Sequence, residues 1–399
     1  MRAVPGTPGQ AGHSPWLIAN LLAQISFGLL AMTLCLPSMQ EWGAIFDTRQ
    51  ADVQLTFSGY VVAYGALQLV YGPLSDRHGR KPILMIGLVV AGLASVMAAL
   101  ATDIAQLTAA RVLQGAGSAA SMVVGRSMVQ DLFTGAQRTR VMAYIGMALG
   151  MCPPLATLIG GQMHVRFGWQ TNFALLAVLA LLLLAAAWWG LPRVAKPAPA
   201  DGHWLRAMLS AYARLLREPR FLLYVAILAA TTATFYAFLA GAPIVLKGYG
   251  IGPDGIGWFI MAVPISYIAG NFMTSRLIQQ MGESRVMAWG QALTVAGLLI
   301  MLALALGGVQ TALAVALPLL LLGLGHGLIN PPALAGTVSV LPALAGSAAA
   351  VAGLMQQLTG ATGGYLVGLV PHEGAVNLGW MMLAFTLLAV AAQWALRQR

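Results

Sequence analysis

The sequence predicts an all-α polytopic membrane protein: twelve transmembrane helices in two six-helix bundles, with both termini cytoplasmic. Three observations point there. Of 399 residues, 59% are apolar and only 8% are charged, against roughly 25% charged in a soluble domain, so a water-facing surface cannot be covered. The few charges divide the chain into apolar runs of bilayer length, and Lys and Arg gather on alternate connections. A soluble enzyme or a nucleic-acid binder is thereby excluded, and the net charge of +10 reads as basic residues collected at one membrane face, against anionic lipid head groups.

A spanning helix needs about 20 apolar residues. Runs of that kind extend from Ala3 to Gln40, Val53 to Ser75, Pro82 to Thr102 and Ile104 to Gly125, the last carrying the single charge Arg111. They continue at Val141–Val165, Phe167–Pro192, Phe221–Leu246 and Gly255–Ser275. The run from Val286 to His372 is punctuated at Gly307-Gly308 and near Pro342–Ser347, giving three spans, and Gly374–Leu396 gives the last. The hydrophobic stretch after the Gly- and Pro-containing tail is too long for a signal h-region and reads as the first span. Cys35 and Cys152 both lie in apolar runs and suggest neither a disulfide nor a metal site; no cofactor is implied.

Orientation follows from the basic residues. One set of connections holds about 17 of the 21 Lys and Arg, and the other holds only Arg49, Arg166 and Lys247, with Arg111 inside the membrane. The richer set faces the cytoplasm. The chain divides into a tail at 1–15, a first bundle at 16–192, a central cytoplasmic loop at 193–220 and a second bundle at 221–399. The loop opens with Pro192, Pro197 and Pro199. Within it Trp204, Met208, Tyr212 and Leu215 fall at helical spacing among Arg206, Arg214 and Arg217, as an amphipathic helix on the inner leaflet would place them; a disordered basic linker is the alternative. Two such halves suit a carrier that rocks about a midplane site.

Motifs sharpen this reading. The connection after the second span reads Gly72-Pro73-Leu74-Ser75-Asp76-Arg77-His78-Gly79-Arg80-Lys81-Pro82 and resembles the cytoplasmic signature of the major facilitator superfamily. Gly72 and Gly79 permit a tight turn. Asp76 can accept from a helix N-terminus or pair with an arginine such as Arg77 or Arg80, a latch that holds one conformation; a loop that only sets topology is the alternative. The fourth span, Arg111-Val112-Leu113-Gln114-Gly115-Ala116-Gly117-Ser118-Ala119-Ala120, is similar to a pattern of proton-coupled members. A buried Arg should face the bundle interior or water, and the small residues after it let helices approach closely. Gly146, Gly150, Pro153, Pro154 and Gly160-Gly161 on the fifth span resemble a weakened form of the Gly-Pro pattern of drug exporters; paired prolines kink a helix, with or without bearing on transport direction. Leu36-Pro37, Gly125-Arg126-Ser127-Met128-Val129-Gln130-Asp131, Gly325-His326-Gly327-Leu328-Ile329-Asn330-Pro331 and Ala345-Gly346-Ser347-Ala348 together resemble the bicyclomycin/chloramphenicol-resistance (Bcr/CflA) type of drug:proton antiporter.

That resemblance implies multidrug efflux of a small molecule, exchange for protons, and a monomer in the bacterial inner membrane. It also exposes a departure. Such proteins carry an aspartate near the outer end of the first span, where this chain has Thr33. Counting residues from the span ends puts Thr33 and Arg111 at one depth, roughly 9–12 Å inside. No Asp or Glu lies mid-membrane. Arg cannot release its proton, which leaves His326 as the titratable residue inside a span, with a histidine hydrogen-bonded between packed helices as the alternative; Glu41 or Asp47, just beyond the first span, would pair with Arg111 if that helix end tilts inward. The resemblance further implies a cavity between the bundles. Its polar or aromatic candidates are Gln24, Phe27, Tyr60, Tyr64, Gln68, Gln114, Phe235, Tyr236, Phe238, Tyr267, Asn271, Asn330, Gln356 and Gln357, a set suited to bulky neutral or zwitterionic compounds. A metabolite carrier using Arg111 on an anionic substrate is the alternative. An enzyme is not expected: the sequence has no zinc-binding His-Glu-x-x-His and no paired intramembrane aspartates.

Overall fold

The computed structural model describes residues 15–192, 204–371 and 374–398, and every element in them is helical. The first half contains α1 (Pro15–Thr33), α2 (Met39–Ile45), α3 (Gln50–His78), α4 (Arg80–Ala99), α5 (Ile104–Leu132), α6 (Gly135–Phe167) and α7 (Gln170–Gly190). A short helix, α8 (Trp204–Leu215), precedes the second half: α9 (Pro219–Gly248), α10 (Pro253–Ile260), α11 (Ala262–Met281), α12 (Glu283–Leu306), α13 (Ala312–Ser339), α14 (Ala345–Leu369) and α15 (Ala375–Arg397). Ten helical stretches are long and apolar enough to cross a membrane, with α10 and α11 counted as one stretch. The helices α5 and α14, at 29 and 25 residues, are as long. The long apolar run after Val286 resolves into α12, α13 and α14, divided where the glycine pair and the Pro342 region interrupt it. The tail, Pro197, Pro199 and the side chains of Arg138, Arg140, Trp204, Arg206 and Met208 lie outside the described residues.

Local chemistry explains the breaks. α1 stops at Thr33 because Leu36 precedes Pro37, which has no N–H to donate and disfavours helical backbone in the residue before it; the chain turns tightly, with Leu36 N–H bonded to Thr33 O at 3.2 Å, before α2 begins. Gly79 alone joins α3 to α4 at φ +100°, a conformation costly for any residue with a Cβ. The division of α10 from α11 at Met261 was not visible in the apolar pattern. Pro264 explains it, since it cannot donate to the carbonyl of Ile260. By contrast α6 runs helical through Pro153 and Pro154.

Within the first half α5 is central, packed on α1, α3 and α4, with α7 against α4. Small residues bring α5 close: a Cβ on Gly115 would stand 2.3 Å from Tyr60 O, and one on Gly117 would stand 2.5 Å from Ala91 N. In the second half α9 packs on α14 and α15, and α13 on α11 and α12. The halves meet where α3 lies along α14 and α6 lies along α10 and α11. Leu215, at the end of α8, is fully buried among Phe221, Val225 and Met287, which ties the central segment to the floor of the second half.

Candidate functional site

The break after α1 creates the first functional feature. Ending a helix leaves its last carbonyls without intrahelical donors, and here the partner comes from α5. Arg111, 0% exposed, donates through Nη1 to Ala31 O at 2.8 Å and through Nη2 to Met32 O at 3.4 Å. A guanidinium suits this place, because the C-terminal end of a helix carries partial negative charge. Nη1 also donates to Gln114 Oε1 at 2.5 Å, and Gln114 Nε2 donates to Ser95 Oγ at 2.7 Å. The Tyr60 ring covers the cation, 4.3 Å from the guanidinium carbon to the ring centroid, a contact strongest when desolvated. Arg111 Nε has no partner among the described residues.

Glu41 does not meet this cation. Its carboxylate lies on the His164 ring, 2.9 Å from Nε2, while Nδ1 faces Ser38 Oγ at 3.0 Å. The tight turn at Pro37 redirects the chain, so α2 carries Glu41 to the last turn of α6. Thr33 does sit beside the carbonyls that Arg111 binds, with its hydroxyl donating to Leu29 O at 2.9 Å. His164, Ser38 and Asn172, whose amide donates to Ser38 Oγ and to Gly160 O, were missed from sequence, as was Ser95. A lone histidine in an apolar run carries no signal, although Glu41 just past Leu36-Pro37 marks a charge in need of a partner. His326 is buried where α13 packs closely on α11 and α12, with no hydrogen bond to a described residue.

A second cluster spans both halves. Tyr60 and Tyr64 on α3 stack at 5.9 Å, and the Tyr60 hydroxyl donates to Gly28 O at 2.6 Å. From the second half, Tyr236 meets Phe57 edge-on at 5.8 Å and donates to Gln357 Oε1 at 2.9 Å. Gln357 packs on the backbone of Gly65, leaving no room for a Cβ there. Phe235 and Phe238 continue the aromatic surface, and Gln356 donates to Thr232 Oγ1 at 3.0 Å. The hydroxyl of Tyr64 and the amide oxygen of Asn330 are buried without a described partner. Gln68, Tyr267 and Asn271 are half-buried. Gln24 turns elsewhere, donating to Leu183 O of α7 at 2.9 Å within its own half; Phe27 is buried in the core.

The halves are seamed at the Arg-poor end. Gln40 donates to Pro243 O, Lys247 to Gln40 O at 2.8 Å, Gln54 to Ala240 O at 3.2 Å and, deeper, Ser58 to Ala361 O at 2.8 Å. At the opposite end, the bonds that the Gly72–Lys81 turn makes to described residues stay within its own half. Arg80 pairs with Asp76, donates to Ser75 Oγ at 2.8 Å and reaches Asp131 Oδ2 of α5 at 3.0 Å, while Lys81 donates to Trp188 O and Leu191 O at the end of α7. Arg77 is exposed and Gly72 faces Val123. Replacing Asp131 by asparagine removes the charge that fixes Arg80 across α3 and α5. The expected loss is about 1–2 kcal/mol, the range of a partly exposed charged hydrogen bond, read as a small fall in Tm with membrane insertion retained; an unchanged Tm would show that Asp76 alone holds the turn. On α6, Gly150 stands within contact of Ile268 across the interface, and Pro153 O accepts from Thr157.

Residues 16–364 match the family profile described as Major Facilitator Superfamily. The chain is 28% identical over 381 residues to multidrug resistance protein D of Escherichia coli strain K12, covering 94% of each. It is 28% identical over 377 residues to the chloramphenicol resistance protein of Pseudomonas aeruginosa, covering 93% of this chain and 88% of that one. Among solved structures it resembles the crystal structure of a D-xylose-proton symporter, with a TM-score of 0.75 at 15% identity over 95% of this chain and 96% of that one; at such identity the likeness concerns the fold.

Proposed function

The chain belongs to the Major Facilitator Superfamily, and on that premise we propose that it exports bulky neutral or zwitterionic drugs by alternating access, in exchange for protons. It is a multi-pass protein of the bacterial inner membrane. In this reading α5 and α14 join the ten apolar stretches to make twelve spans, and both termini are cytoplasmic, as the basic residues favour. The observation that carries the proposal is the seam. The halves are hydrogen-bonded across the Arg-poor end, the outer one, while the bonds that the signature turn at the inner end makes to described residues stay within its own half, as suits an inward-opening carrier.

The substrate site is the aromatic cluster between the halves. Phe57, Tyr60, Tyr64 and Tyr236 are buried and Phe235 half-buried in this state; where the halves part around them they would offer flat apolar surface, with the Tyr64 hydroxyl, unpartnered among the described residues, as a donor to an uncharged acceptor on the drug. No carboxylate lies there to select cations. The alternative, an anion carrier with Arg111 as its ligand, finds little support: that guanidinium is fully buried and spends both terminal nitrogens on protein oxygens. His326 remains the proposed proton site within a span.

A susceptibility panel in an efflux-deficient bacterial host tests the proposal. Expression is expected to raise resistance to chloramphenicol-like and bicyclomycin-like compounds, and Tyr64→Phe to lower it for compounds that need the hydroxyl donor. Everted vesicles given a pH gradient should show drug-dependent proton movement that His326→Asn abolishes. Resistance to no drug in the panel, with gradient-driven uptake of organic anions instead, would overturn the reading.

A further inference from the structure

We propose that Arg126 determines specificity at the inner mouth of the substrate site, where its guanidinium holds the carboxylate of an acid-bearing aromatic drug. The inference rests on the export reading above and narrows its substrate class. Arg126 belongs neither to the signature turn nor to the clamp at the end of α1.

Helical geometry fixes where this side chain points. Gly115, Ala119, Met122 and Arg126 recur at spacings of four, three and four residues, so they share one face of α5. On that face Gly115 lies against Tyr60 O of α3, whereas Gly125 lies against Ile25 of α1. Arg126 therefore looks into the gap between α3 and α1. The Tyr64 ring enters the same gap from α3, packed on Gly28 of α1, and its hydroxyl lies within electrostatic range of the Arg126 cation. Gly65, the next residue, meets Gln357 of the second half, so the gap borders the junction of the halves.

Depth and direction agree with this placement. Arg126 lies five residues, about 7.5 Å, deeper along α5 than Asp131, which pairs with Arg80 of the signature turn at 3.0 Å. Side chains on a helix lean towards its N-terminus, and α5 begins at the Arg-poor end. The guanidinium thus leans towards the aromatic cluster and away from the inner surface. Its neighbours at this end are spent: Arg80 on Asp76 and Asp131, Lys81 on Trp188 O and Leu191 O. Arg126 is exposed and makes no ion pair among the described residues.

A free guanidinium beside an aromatic cluster matches a ligand with a carboxylate on an aromatic body. The planar fork donates to both carboxylate oxygens, and the Tyr64 hydroxyl, without a described partner, can donate to a carbonyl beside them. A basic residue that only sets topology would make no such distinction between ligands.

Fluorescence titration of the full chain in lipid nanodiscs, with a quinolone carboxylic acid and with its methyl ester, tests the assignment. The two ligands share one aromatic body and differ in the charge. The acid is expected to bind roughly fivefold more tightly, the order of one partly exposed ion pair. Arg126→Gln should bring that ratio close to one, and Arg126→Lys, which keeps the charge without the fork, should restore part of it. A ratio of two affinities measured on one preparation does not depend on the fraction folded. Equal binding of acid and ester by the parent chain, binding of neither, or a preference unmoved in Arg126→Gln overturns the proposal. Resistance to neutral drugs conferred by the parent chain tests the export reading separately, so the failure of one is distinguishable from the failure of the other.

Discussion

Arg111→Ala is expected to lower stability by about 3–5 kcal/mol, since two buried carbonyls at the end of α1 and the Gln114 oxygen lose a charged donor worth roughly 1.5–3 kcal/mol apiece in isolation, and these losses do not simply add. The effect should appear as a large fall in Tm of the detergent-solubilised protein, together with loss of drug resistance. Arg111→Lys should fall between the two, because an ammonium is a point charge that cannot fork to Ala31 O, Met32 O and Gln114 at once. The pattern separates two roles for this side chain. A clamp on a helix end predicts that Tm and transport fall together. Transport lost at unchanged Tm would refute the clamp and return Arg111 to the transport pathway.

The second large effect is expected at Gly161. A Cβ there would stand 2.1 Å from Pro253 O and 2.9 Å from its carbon, backbone atoms of the opposite half that cannot rotate aside. Gly161→Val therefore wedges α6 from α10 and penalises the seamed state by about 1–3 kcal/mol, the usual cost of overpacking. The ratio of seamed to opened molecules should shift by roughly 5- to 150-fold. Spin labels placed across the Arg-poor end would report longer distances. Gly160→Ala provides the contrast, because its Cβ would strike Leu34 O, at 1.8 Å, within the same half. That variant should lose stability with the label distances unmoved. Unchanged distances in Gly161→Val would show that closure at this end does not depend on the α6–α10 contact.

Most of the helical pattern could be read from sequence, because the bilayer imposes one length and one polarity on every span. The run from Ile104 to Gly125 becomes α5, and Gly307-Gly308 and the Pro342 region fall between helices. What escaped the sequence were features set by backbone groups. Residue counting placed Thr33 and Arg111 at one depth, and Glu41 or Asp47 stood as a counter-charge if the helix end tilted inward; the actual partners are the main-chain carbonyls of Ala31 and Met32, freed by the Pro37 break. Gln24 shows the other limit. On a helix apolar around its whole circumference, periodicity does not say which face meets a neighbouring helix and which meets the opposite half, and Gln24 turned out to bind α7. The aromatic cluster was legible only in part: Tyr60, Tyr64, Phe235, Tyr236, Phe238 and Gln357 were candidates from sequence, and Phe57 was not. Its pairing of Tyr236 with Gln357, and of Phe57 with Tyr236, came only with the packing.

In the seam, three of the four bonds share one polarity: Gln40, Gln54 and Ser58 of the first half supply side-chain donors to main-chain oxygens of the second, while Lys247 of the second half donates back to Gln40 O. Every amino acid carries such an oxygen. Ala240, Pro243 and Ala361 can therefore drift among residues of similar size and still receive their partners, whereas a change at Gln40, Gln54 or Ser58 removes a grip outright. Lys247 apart, variation that alters drug preference is thus freer to accumulate along α9 and α14 than along the stretch from α2 into α3, and the two halves of one carrier come under unequal mutational constraint.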